Sequence, residues 1–285
     1  MAIVFNEKQK VFYLHSKNSS YIFGILKNKV LVHLHWGNKI NDIGDVERML
    51  WKGGVTLSAT DIRLDGEYST DKLMTEYPTY GNTDLRSPAF HAKYENGSRT
   101  TQLDYIGYKI TKGKPALQGL PAVYAENDSE ADTLEVELKD DLTGMSVFLS
   151  YTVFNEIDAI IRSTRVVNNG SENITLSRVL SASVDFEDNE FDMLHLRGAW
   201  TRERHVQRIP LLHGTQTVDS KRGASSAQHN PFVALLRKDA TEDKGEVYGM
   251  NFVYSGNFIA GAEVDQFFTT RMFMGINPFD FGWNL

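Results

Sequence analysis

Alternation of apolar and polar residues, repeated along almost the whole chain, most limits the folds open to this sequence. In the stretch 133–138, Leu134, Val136 and Leu138 fall on one face and Thr133, Glu135 and Glu137 on the other. That is the signature of a half-buried antiparallel strand. Asp140, Asp141 and Gly144 supply the next turn, and 145–154 reads as the return strand. The same reasoning predicts strands over 11–15, 30–36, 159–167, 174–181, 232–236, 247–254 and 258–264. Turns are expected at Asn28-Lys29 and at 168–170, where Asn-Asn-Gly tolerates positive φ. Helical spacing is nearly absent: only 45–51 carries enough of it for two turns. Many short strands at such spacing predict an all-β fold, one large antiparallel domain over 1–285.

Composition removes whole classes of function. Hydrophobic residues at 41% and charged residues at 24% are the balance of a globular protein with a core of its own. Without cysteine there are no disulfides, thiolate metal sites or cysteine nucleophiles. The net charge is -7 with no dense basic stripe, which argues against nucleic acid as a partner. No apolar run reaches the length of a membrane helix, and the first residues lack the pattern of a secretory signal. A cytoplasmic location is therefore expected, with the Asn-x-Ser/Thr triplets at Asn18, Asn96, Asn127, Asn169 and Asn173 serving as ordinary turn residues. The run 272–285 is apolar and has no polar tail, so the chain is expected to stop short of its domain's last strands.

Few residues offer chemistry. His33 and His35 stand at period 2 on one strand but lack a third ligand at useful spacing, so they read as strand histidines beside Trp36 and no metal is expected. Asp140-Asp141 and the Asp185–Asp188 stretch supply paired carboxylates, the raw material of glycoside hydrolysis; turn formation is the commoner use of such aspartates. Neither a nucleophile elbow nor a complete phosphate loop is present. Aromatic, Asp, Asn and Arg residues instead gather in three segments that do not read as strands, 76–89, 196–204 and 225–232. Aromatic faces and planar polar side chains on loops of a β scaffold suit sugar binding. Arg–Asp pairs and tyrosines that pin long loops account for them equally well.

These segments also carry a resemblance. The run 76–89, with Tyr77, Tyr80, Gly81, Asn82, Asp84, Arg86 and Pro88, resembles the N-terminal part of glycoside hydrolase family 36, the bacterial α-galactosidases. So do 112–122, 181–186, 198–204, 245–249, 253–258 and 275–283, which together span essentially the whole chain. The resemblance implies a β-supersandwich that precedes a catalytic (β/α)8 barrel and a small C-terminal β domain. It implies hydrolysis of terminal α-galactosides of the melibiose and raffinose type with retention, by two barrel aspartates, so that no catalytic residue lies in this segment and no cofactor is needed. It also implies a homo-oligomer, a tetramer in the parent enzyme, in which a loop of this domain reaches a neighbour's active-site mouth. That loop corresponds to 46–68 and holds Trp51, Asp61, Arg63 and Asp65, the expected sugar-binding residues, to which Trp200 in the 198–204 motif is added. Where many members carry His after Ser-Ser, this chain has Ala227, with His229 nearby. A free-standing carbohydrate-binding module and a purely structural oligomerisation domain are the alternative roles.

Overall fold

The structure, a computed structural model, describes residues 2–52 and 60–285. The all-β expectation holds. The first sheet is a meander of β1 (Ile3–Asn6), β2 (Val11–His15), β3 (Ser19–Leu26) and β4 (Val30–Asn38). Among the described residues of 39–89 there is little regular structure: one turn of helix, α1 (Val46–Met49), and a 3₁₀ turn over Ile62–Leu64. Asp45 caps α1 by accepting from the Glu47 amide, the usual way to satisfy an orphan donor at a helix start. After β5 (Phe90–Tyr94) comes a second meander, β6 (Asp104–Lys112), β7 (Ala131–Lys139), β8 (Met145–Phe154) and β9 (Ile160–Asn168).

The remaining strands interleave two further sheets. They are β10 (Ile174–Phe186), β11 (Phe191–Ala199), β12 (Arg202–Pro210), β13 (Gly214–Asp219), β14 (His229–Arg237), β15 (Val247–Asn251), β16 (Phe258–Val264), β17 (Thr270–Ile276) and β18 (Trp283–Asn284). One sheet has the order β13-β16-β17-β10-β18, with β5 also on β10; the other has the order β12-β11-β14-β15. Every strand pair among the described residues is antiparallel.

A common core draws on all four sheets, with Phe12, Phe23, Leu149, Tyr151, Leu180, Phe191, Phe258 and Phe273 fully or almost fully buried. A second cluster, including Val11, Ile22, Val32, Leu64, Tyr68 and Leu73, lies beneath 39–89. Strand β3 feeds both cores, Tyr21 and Phe23 facing one and Ile22 the other. This explains why alternation missed it: a strand buried on both faces reads as a continuous apolar run. The turn after it lies at Lys27–Asn28, both at positive φ, one residue earlier than expected. Two predictions need correction. The end of 225–232, read as free of strand, is the start of β14 (His229–Arg237). The stretch 196–204, read as a loop, is the end of β11, a tight turn and the start of β12. Polar residues on both faces there hid the period-2 contrast.

Candidate functional site

The charged residues of 76–89 are spent on structure. Glu76 is fully buried and accepts from Tyr21 Oη at 2.8 Å and Tyr151 Oη at 2.7 Å. The Arg162 guanidinium lies 3.0 Å from it. Burial, and then the Glu76 charge, hold the Tyr21 phenol well above its ordinary range. A second network surrounds Arg271, whose guanidinium donates to both oxygens of Asp185 at 2.7 and 2.8 Å and to Asp84 at 2.7 Å. Arg86 binds Asp84 at 2.9 Å and the Leu73 carbonyl at 2.7 Å. Burial alone would raise the Asp84 carboxyl; Arg271 and Arg86 overcome it and bring the carboxyl down to about 2. Charges this deep persist because each is paired and hydrogen-bonded.

The acidic candidates are engaged in the same way. Asp185 belongs to Arg271, and Asp188 meets Arg237 at 2.6 Å. Asp140 caps its own turn, accepting from the Leu142 and Thr143 amides. Asp185 and Asp188 are thus held by arginines, and Asp140 by turn amides. His33 lies 3.4 Å from Glu76 without a hydrogen bond at Nδ1, whereas His35 Nε2 sits 2.9 Å from the Asn38 carbonyl. The two therefore do not converge on a metal. Among the described residues no group of three or more His, Asp or Glu is gathered to hold a metal ion.

The proposed sugar contacts fall in two places. In the loop after β4, Asp61 accepts from the Arg63 amide, so it caps the 3₁₀ turn, and from Arg63 Nε at 2.9 Å. Arg63 Nη1 donates to the Leu103 carbonyl at 2.9 Å and to Asp104 at 3.0 Å. Both side chains are buried. Asp65, at φ +54, is exposed and lies 3.4 Å from Lys27. Trp51 is half exposed, with Lys72 Nζ 4.1 Å above its ring and 4.5 Å from the Phe267 centroid. Residues 53–59 of the expected loop lie outside the described residues.

Trp200 stands apart at the tip of the β11–β12 hairpin and is 85% exposed. The hairpin is tight because Gly198 packs against backbone: a Cβ there would come within 2.4 Å of the Arg202 carbonyl oxygen. Arg197, Gly198, Arg202 and His205 line a cavity of about 320 Å³ beside it. Behind lie His195 and His229, ring centroids 5.8 Å apart, each with a buried Nδ1 lacking a hydrogen bond. Burial, then His229 and Arg197, keep the His195 imidazole below its ordinary range. An exposed indole beside a wall of donors is an arrangement able to face a ring of C–H groups and hydroxyls.

The description "Glycosyl hydrolase family 36 N-terminal domain" matches residues 29–285. The chain belongs to this family. It is 47% identical over its whole length to the α-galactosidase AgaA of Geobacillus stearothermophilus and 41% identical to the bifunctional α-galactosidase/sucrose kinase AgaSK of Mediterraneibacter gnavus. The crystal structure of the family 36 α-galactosidase AgaB from Geobacillus stearothermophilus superposes on all of it with a TM-score of 0.95 at 47% identity. Variants of AgaA solved with stachyose and with raffinose superpose on 97% of it at 0.94. The chain spans 39% of the length of AgaA and 30% of AgaSK. As a family 36 N-terminal domain it contains spent acids in its networks and exposed aromatics at its tips.

Proposed function

We propose that this chain is the β-supersandwich front part of an α-galactosidase that removes terminal α-galactosyl groups, with retention, from sugars of the raffinose and stachyose type. The observation that carries the reading is that the aspartates suited to such chemistry here are bound to arginines or cap turns, while whole-chain relatives named α-galactosidases are more than twice as long. Bond cleavage then falls to polypeptide outside this segment, whose own work is to shape the pocket mouth and the contacts between subunits. The parent works in the cytoplasm as a homo-oligomer, a tetramer, and needs no cofactor.

Trp200 and Trp51 are the residues presented to sugar. Asp65, exposed and paired with Lys27, can join them by giving up a surface ion pair, whereas Asp61 and Arg63 take part only by exchanging their mutual contact and the Asp104 pair. Kinetics of the full-length enzyme on raffinose test this. Replacing Trp200 by Ala should raise KM and lower kcat/KM about tenfold, the worth of one stacked aromatic contact. An unchanged kcat/KM for both Trp200→Ala and Trp51→Ala would leave the segment a purely structural part.

A further inference from the structure

Lys72 is a cation without an anion. Its Nζ lies 4.1 Å from the centre of the Trp51 ring and 4.5 Å from that of Phe267. Among the described residues that ammonium has neither a carboxylate partner nor a hydrogen bond. Its neighbours behave otherwise: Lys52 meets Glu47, and Lys27 lies between Asp65 and Glu67. Two ring faces carry negative charge density and can replace part of the water around an ammonium. The place of this side chain is therefore set by the rings.

The three residues come from segments far apart in the chain, and each backbone is anchored separately. Leu50 and Leu73, the immediate neighbours of Trp51 and Lys72, are both buried in the core beneath 39–89. The Ser69 carbonyl accepts from the Lys72 and Leu73 amides at 3.1 and 3.0 Å. Phe267 belongs to the turn between β16 and β17, where the Asp265 carboxylate accepts from the Phe267 and Thr269 amides, both at 2.9 Å. Asp265 also stands 3.8 Å from Arg86 of the buried charge network. The same turn holds Phe268 at φ +65, a conformation that a bulky residue keeps only where its surroundings impose it. Three fixed supports thus meet at one ammonium, and the indole they hold is half exposed.

We propose that Lys72 is a positioning residue for sugar binding: its ammonium clamps the Trp51 indole to the β16–β17 turn, covers one ring face and leaves the opposite face for the C–H surface of a glycoside. The proposal rests on the reading of Trp51 as a sugar contact. Without the clamp a half-exposed indole samples several rotamers, and the cost of ordering it is taken from each binding event. The effect falls on binding and not on bond cleavage.

Kinetics of the full-length enzyme on raffinose test it. Lys72→Met keeps an apolar stem and removes the charge; KM should rise about fivefold while kcat changes less than about twofold. Lys72→Arg, whose guanidinium also lies well on a ring face, should recover most of that loss. In a Trp51→Ala background, Lys72→Met should add nothing further. An unchanged KM for Lys72→Met beside a raised one for Trp51→Ala would overturn the clamp. So would a loss that Arg does not repair, or one that persists without Trp51. Fluorescence keeps the clamp apart from the sugar reading. Subtracting the spectrum of the matching Trp51→Phe protein isolates the Trp51 emission, and Lys72→Met should move its maximum to longer wavelength as the freed ring meets water. A shift together with a kinetically silent Trp51→Ala retains the clamp and removes the sugar contact; a raised KM for Trp51→Ala with no shift does the reverse.

Discussion

The segment 76–89 buries every charged group it carries, whereas the hairpin tip 197–204 exposes all of its own. Both combine aromatic residues or an indole with arginine and an acid: Tyr77, Tyr80, Glu76, Asp84 and Arg86 in one, Trp200, Glu203 and three arginines in the other. In the first, Asp84 and Arg86 are tied into a network completed by Asp185 and Arg271. In the second, Trp200 and the arginines around it face solvent. Residue type alone therefore does not say whether such a segment binds a ligand. What decides it is whether partners inside the fold have already used up its polar groups.

The sharpest way to break this contrast is to remove one charge from the buried network. Arg271→Met leaves Asp84 and Asp185 buried beside too few partners, and urea unfolding should show a loss of about 3–5 kcal/mol. A loss below about 1 kcal/mol would mean that 76–89 is no more built in than the hairpin. A smaller effect is expected from acid. The folded carboxyl of Asp84, at about 2, lies below the ordinary unfolded value of about 3.9. Its contribution of ~2 kcal/mol is thus present above pH ~4 and is lost as pH falls toward 2. Melting temperatures measured down this range should drop more steeply for the native chain than for Asp84→Asn, and parallel curves would remove the ion pair from the argument. The smallest effect on folding belongs to the other region: Trp200→Ala should shift stability by no more than about 0.5 kcal/mol. A larger shift would show the indole packed where it stands exposed here.

The comparison also shows where sequence reasoning reaches. Strands β7 and β8 were legible because one face of β7 is wet and the other dry, and the turn at Asp140–Gly144 marks their boundary. Strand β17, buried on nearly every side chain, and β12, exposed on nearly every one, each lack that contrast. For the charged segment the limit is distance along the chain. Asp84 meets Arg271, 187 positions later, and no local pattern announces such a partner. Membership of 76–89 in a recognisable motif was visible; the reason for its Asp and Arg emerges only when the sheets bring β10 and β17 beside it. The exposure of Trp200 was likewise hidden, since the signal that placed it, a polar run around one indole, fits a pinned loop as well as an open one.

Central to the proposed function is that the segment holds its acids in structural service and leaves bond cleavage to other parts of its parent. Turnover of p-nitrophenyl α-galactoside by the purified 285-residue chain tests that most directly. Release of nitrophenol should not exceed the buffer blank. Turnover that persists through purification and disappears on replacing Asp185 or Asp188 would contradict it.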